Sequence, residues 1–199
     1  IEDFHGAITK KQFKVYYQPK FDVRPEIPVL ASAEALVRWQ HPTLGLISPG
    51  IFIPLFEDNG LILQLDRFVW EEACKVLRAQ IDAGLEPVPI SVNLSRLNFY
   101  SHDLLDFLQS LIKKYDLQPD LLKLEITESA YMENPHQLIA MVRAFRGAGF
   151  SVLMDDFGSG FSSLSMLKDL PVDVLKIDMA FVQEVDKSSR AGAIMESIV

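Results

Sequence analysis

Short runs rich in branched and aromatic residues recur along the chain, at 15–18, 30–37, 88–94, 121–127, 151–154 and 172–177. Runs of that length and composition, bounded by turn-forming residues, predict β-strands. Between most of them the apolar spacing changes to a helical one. Ser48 and Pro49 form an N-cap and first helical position for a helix over 51–59, which Gly60 stops. Leu65, Phe68, Val69, Ala73, Val76 and Leu77 then recur at helical spacing until Gly84 and Pro87 end the segment. Ser101 caps a stretch carrying Leu104, Leu105, Leu108 and Leu111, while Asn134 and Pro135 open another carrying Leu138, Met141, Val142 and Phe145. This alternation predicts α/β organisation, with parallel strands covered by helices. It leaves two architectures open: an open doubly wound sheet, or an eight-stranded barrel lacking its last quarter.

Composition narrows the class. With 49% hydrophobic residues in 199, the chain can bury the core of one domain over 1–199. A net charge of −8 without a stripe of Lys and Arg argues against a nucleic-acid polymer as partner. A small phosphate ligand stays open, because a bound metal inverts the local sign of an acidic site. Cys74 is the one cysteine, which excludes an intrachain disulfide and suits a reducing compartment. Apolar runs such as 51–56 fall far short of the ~20 residues needed to span a bilayer. The expectation is a cytoplasmic segment without membrane contact, whose parent protein could be anchored through other domains.

Reading each predicted strand from N to C, a carboxylate, amide or ammonium stands at or near its end. These are Glu34, Asn93, Glu125, the pair Asp155 and Asp156, and Lys176. An ionised group inside a buried strand costs on the order of several kcal/mol unless a partner or metal compensates it. Singly, each has an ordinary reading: Glu34 facing solvent, Asn93 capping a turn, Glu125 and Glu128 pairing with Lys123 or an Arg, and Lys176 pairing with Asp178. Those readings must hold independently at five strand ends, whereas one metal site accounts for all of them together. Parallel strands point their C-terminal ends to one face, so the oxygens converge there with one amine. Oxygen-only ligands favour Mg²⁺ or Mn²⁺, with Ca²⁺ as an inhibitor or structural substitute; zinc normally takes His or Cys. His5, His41, His102 and His136 do not cluster and receive no role.

The densest signal is Asp155-Asp156-Phe157-Gly158-Ser159-Gly160. Adjacent carboxylates repel unless cations lie between them, and consecutive side chains can reach two ions about 3.5–4 Å apart. The glycines permit a mobile lid over 157–164, or a tight turn into a helix starting at Ser162 or Ser163. Arg38 is a candidate phosphate contact through its planar fork, or the partner of a nearby Glu.

These residues resemble the EAL-domain phosphodiesterases of bacterial cyclic di-GMP signalling, and the resemblance covers the whole chain. It begins at Tyr17-Gln18-Pro19, passes through Glu34-Ala35-Leu36, Val37-Arg38-Trp39 and His41-Pro42, and continues with Phe52-Ile53-Pro54 and Gly60-Leu61-Ile62. Ser91-Val92-Asn93-Leu94-Ser95, Glu125-Ile126-Thr127-Glu128-Ser129, Asp155-Asp156-Phe157-Gly158 and Leu175-Lys176-Ile177-Asp178 follow in order. The resemblance implies a modified TIM-type (β/α)8 barrel, of which about six strands fall within the chain. It implies linearisation of cyclic di-GMP to pGpG with one or two Mg²⁺ or Mn²⁺ ions. The implied metal ligands are Glu34, Asn93, Glu125 and Asp155, with Asp156 at a second ion and Lys176 near the attacking water. Gln18, Leu36, Arg38, Asn98 and Asp178 would contact the ligand; Glu128 would fix the loop of Phe157, Gly158, Ser159 and Gly160. Asn98 stands where many members carry Gln.

The family continues past the Lys-Ile-Asp motif with a Glu-Gly-Val-Glu and then a Gln-Gly segment, neither of which lies in these 199 residues. The resemblance therefore implies a barrel incomplete at its C-terminus, completed by further chain or covered by a partner. It also implies a homodimer, and sensor or diguanylate cyclase domains in a parent protein. The alternative function is a catalytically silent cyclic di-GMP receptor or regulatory interaction module. The filled Glu34, Asn93, Glu125, Asp155 and Lys176 positions favour the enzyme.

Overall fold

The computed structural model describes residues 4–158 and 164–185. Helix α1 (Phe4–Thr9) leads into β1 (Phe13–Asp22), β2 (Val29–His41) and β3 (Gly45–Ile47). Helices α2 (Pro49–Asp58) and α3 (Ile62–Asp82) precede β4 (Ile90–Asn93), and α4 (Leu104–Lys114) precedes β5 (Leu122–Thr127). Next come α5 (Glu128–Glu133), α6 (Pro135–Gly147), β6 (Val152–Phe157), α7 (Leu164–Asp169), β7 (Val174–Ile177) and α8 (Met179–Val185). The strands form one curled half-barrel sheet in the order β1-β2-β4-β5-β6-β7, with β3 attached to β2. This is the α/β architecture expected of a TIM-type barrel. From β2 through β7 the main path is parallel, while β1 runs antiparallel to β2. The antiparallel start is a modification that the strand-helix rhythm of the later elements does not announce.

Helices cover one face of the sheet. Helix α3 presents Leu65, Val69, Trp70, Ala73, Cys74 and Leu77, all buried, at the spacing of one helical stripe. Full burial of one such Leu contributes about 1.5–3 kcal/mol. A second apolar cluster roots α1 and α2 on the far half of β2, where Phe13 and Trp39 have ring centroids 5.2 Å apart and Phe4 and Phe56 lie edge-on at 4.9 Å. This cluster anchors the far half of β2: β1 pairs along that strand from Val29 to Trp39, β4 pairs only at Ala33 and Glu34, and residues Trp39 to His41 also pair with β3.

Several sequence expectations change in detail. The 41–47 segment holds the additional strand β3, and residues after Thr127 form α5 directly. Ser48 has the extended backbone of an N-cap but makes no side-chain capping bond, so Pro49 alone carries the helix-start signal. Gly60 has φ +69, the left-handed conformation that lets the chain turn out of α2. Residues 159–163 of the expected lid over 157–164, and with them the helix start at Ser162 or Ser163, lie outside the described residues.

Candidate active site

Strand alternation builds the site. Ala35, Ile90, Val92, Leu122, Leu124, Ile126, Val152 and Met154 are buried in the main apolar cluster. The residues between them face the other way, into the curl of the sheet. Register keeps these polar residues level: Gln18 lies opposite Glu34, Glu34 beside Ser91, Asn93 beside Glu125, and Thr127 beside Asp155. Glu34 is not at the end of its long strand, as the sequence suggested, but at the end of the short parallel ladder between β2 and β4. It therefore reaches the same level as the true strand ends.

Glu34, Glu125 and Asp155 each place a carboxylate oxygen within 4.8 Å of the others. Lys176 joins them, its Nζ lying 3.0 Å from Glu34 Oε2, 2.6 Å from Glu125 Oε2 and 2.7 Å from Asp155 Oδ2. Burial opposes the Lys176 charge, but its hydrogen bonds to Asp155 and Glu125 outweigh that and hold its pKa above the ordinary lysine range. Glu125 has a side chain with 0% exposure, and its partners are the two lysines of the cluster rather than neighbouring Lys123. Lys176 likewise turns to the three carboxylates and leaves Asp178 to cap α8 through Ala180 N, 2.7 Å from Asp178 Oδ1. An oxygen-only, partly buried donor set with this spacing fits a hard divalent cation.

Lys20 escaped the sequence reading. It enters from β1, with Nζ 3.0 Å from Glu34 Oε2, 2.5 Å from Glu125 Oε1 and 3.0 Å from Ser91 Oγ. A lysine at a polar position of an edge strand reads as a solvated residue, and only closure of the curl reveals its partners.

Around this cluster, Asn93 is exposed at the end of β4, and its carbonyl accepts from the indole of buried Trp70 at 3.0 Å. That bond ties the strand end to α3. Asp156 has φ 55, a left-handed conformation rare outside glycine, and its amide donates to Asp155 Oδ1 at 2.9 Å. Burial, then the charges of Asp155 and Asp178, push the Asp156 pKa up. Phe157 is buried, and the Gly158 amide donates to Glu128 Oε2 at 3.2 Å, with Glu128 only 4% exposed. Ser159 and Gly160 fall outside the described residues.

The half-buried Arg38 donates to the carbonyl of Val37 at 3.0 Å and makes no ion pair among the described residues. It lines a cavity of about 100 Å³ with Leu36, Asn93 and Asp66. Asp66, the second residue missed, sits on the apolar stripe of α3. Its Oδ2 accepts from Asn98 Nδ2 at 2.6 Å and from the Ser95 amide at 3.2 Å. Burial raises its pKa to about 7, against those hydrogen bonds. Asn98 gives its amide hydrogens to Asp66 and Ser95 Oγ, the latter at 2.8 Å, and so holds the loop after β4. Its place is the wall behind the cavity. A carboxylate between Leu65 and Val69 breaks the apolar stripe, and that break was the signal available in the sequence.

Fold and site together define a curled α/β barrel domain with an acidic centre where its parallel strands end. The sequence profile of the EAL domain family matches residues 1–199. Two curated relatives from Pseudomonas aeruginosa, the bifunctional diguanylate cyclase/cyclic di-GMP phosphodiesterase MucR and the cyclic di-GMP phosphodiesterase NbdA, are each 39% identical over the whole chain. The chain spans 29% and 25% of their lengths. A solved c-di-GMP complex of the PaMucR phosphodiesterase superposes with a TM-score of 0.88 at 38% identity, covering 99% of this chain and 79% of that one. The EAL enzyme Bd1971 in its cAMP- and cyclic-di-GMP-bound form gives 0.85 at 30% identity, covering 99% and 54%. This chain belongs to the EAL domain family.

Proposed function

We propose that the protein is a metal-dependent phosphodiesterase that opens cyclic di-GMP to linear pGpG in bacterial second-messenger signalling. The single observation that carries this reading is the convergence of Glu34, Glu125 and Asp155 on one small volume with the Lys176 ammonium among them. Glu34, Asn93, Glu125 and Asp155 would hold a Mg²⁺ or Mn²⁺ ion, and Asp156 a second one. Such ions lower the pKa of water and neutralise phosphoryl charge.

The remaining steps belong to the chain's own residues. Lys176, fixed by its carboxylates, stabilises negative charge that builds on the phosphoryl oxygens and on the departing 3′ oxygen. Arg38, whose fork meets no carboxylate among the described residues, grips a phosphate beside the cavity, where Leu36 offers an apolar contact to a base. Gln18, opposite Glu34 across the β1–β2 ladder, is placed to bond the ligand from the β1 side. The Glu128 carboxylate holds Gly158 and thereby the turn carrying Asp156. The similarity to MucR and NbdA supports both the substrate and the reaction. No helix among the described residues is long and apolar enough to cross a membrane, which is compatible with a cytoplasmic site of action.

Anion-exchange chromatography of cyclic di-GMP incubated with protein and Mn²⁺ tests the reading. Wild type is expected to form pGpG, and Glu125→Gln to lose at least about a hundredfold in rate. Equal rates for the two would remove the cluster from the chemistry.

A further inference from the structure

Lys20 and Lys176 come from opposite ends of the sheet path, β1 and β7, and share the same acids. Glu125 is divided between them, Oε1 lying 2.5 Å from Lys20 and Oε2 2.6 Å from Lys176. Glu34 Oε2 lies 3.0 Å from each ammonium. A cation entering the Glu34, Glu125 and Asp155 cluster must therefore displace at least one of the two lysines.

The two differ in what they lose. Lys176 touches all three carboxylates, so its withdrawal gives up three ion pairs. Lys20 touches two, and it has a neutral acceptor that no metal needs: Ser91 Oγ, 3.0 Å away on a fully buried residue whose hydroxyl donates to the Ala33 carbonyl at 3.3 Å. Ser91 can keep the ammonium after the acids have been taken.

We propose that Lys20 is a resident counter-cation that holds Glu34 and Glu125 together in the metal-free protein and competes with the divalent ion for them. It thereby sets the metal concentration at which the site fills. The inference rests on the metal-dependent reading above. Electrostatics give its sign: three carboxylates against two ammoniums leave one uncompensated negative charge, and without Lys20 two remain. A cluster with the larger deficit attracts a divalent ion more strongly, and the repulsion between that ion and the ammonium is gone. Lys20 thus stabilises the metal-free fold and weakens metal binding.

Isothermal titration of Mn²⁺ into EDTA-stripped protein, with thermal unfolding in parallel, tests this without recourse to activity. Lys20→Gln is expected to bind Mn²⁺ about tenfold more tightly than wild type and to melt lower in EDTA. Lys20→Arg, which keeps the charge, is expected to stay within about threefold of wild type. Ser91→Ala, which removes the retreat for the displaced ammonium, is expected to weaken Mn²⁺ binding about fivefold. Equal or weaker binding by Lys20→Gln overturns the proposal, as does an unchanged affinity in Ser91→Ala. Absence of Mn²⁺ binding in every protein overturns the metal-dependent reading together with this one, whereas equal affinities overturn this one alone.

Discussion

Replacing Lys176 with Met separates the structural from the catalytic work of its ammonium. The side chain, 24% exposed, bonds Glu34, Glu125 and Asp155 at 2.6–3.0 Å, so the variant leaves Glu34 and Glu125 to Lys20 and takes from Asp155 its ammonium partner. Breaking a buried pair by deleting one partner costs about 3–5 kcal/mol. Partial exposure and the remaining Lys20 contacts lower this to about 2 kcal/mol. For a domain of this size, that is a fall in Tm of roughly 4–8 °C. Differential scanning calorimetry in EDTA should read that fall. Added Mn²⁺ should then raise the variant's Tm by more than it raises wild type, because the metal meets a larger charge deficit. Turnover should remain at least about a hundredfold down at saturating Mn²⁺, since the ammonium that meets the phosphoryl charge is missing. An unchanged Tm in EDTA would refute the electrostatic account of the cluster, and restored turnover in Mn²⁺ would refute the assigned role.

Asp66 supplies a pH signature. Its folded pKa, about 7, lies above the ordinary 3.8, so the folded state retains a proton that the unfolded chain releases. Its stabilising contribution is complete below about pH 4 and is lost as pH rises to 7, on the order of 4 kcal/mol. Asp66→Asn should flatten the Tm–pH curve across that window and melt above wild type at pH 8; a parallel curve contradicts the burial argument. Glu128→Ala removes the acceptor for the Gly158 amide, so kcat should fall at least about tenfold while cyclic di-GMP affinity changes less than about threefold, checked by turnover and titration. Arg38→Lys keeps the charge but loses the planar fork; KM should rise about tenfold with kcat little altered, as steady-state kinetics would show.

The sequence and the structure agree best where local pattern and tertiary placement coincide. The stripe from Leu65 to Leu77 became α3, and the run ending at Thr127 became β5, because one helix face or one strand face suffices to dictate each burial pattern. Glu34, Glu125, Asp155 and Lys176 stood out as charges in otherwise apolar strands, and the structure brings them into one cluster. Lys20 did not stand out, because its partners lie 14 and 105 positions away and only the curl of the sheet supplies them. β1 also turns antiparallel for a reason its own residues do not state: the link from Asp22 to Val29 is too short for a crossover helix, so the chain must form a hairpin.

The central claim, that the acidic centre opens cyclic di-GMP with a divalent ion, is tested most directly by following 31P resonances of cyclic di-GMP with stoichiometric protein, in EDTA and then after addition of diamagnetic Mg²⁺. The account predicts an intact cyclic diester in EDTA and, after Mg²⁺, one phosphodiester and one terminal phosphate monoester per molecule, with no change for Glu34→Ala. A cyclic diester that stays bound and uncleaved by wild type in Mg²⁺ would contradict it and make the protein a receptor for the dinucleotide.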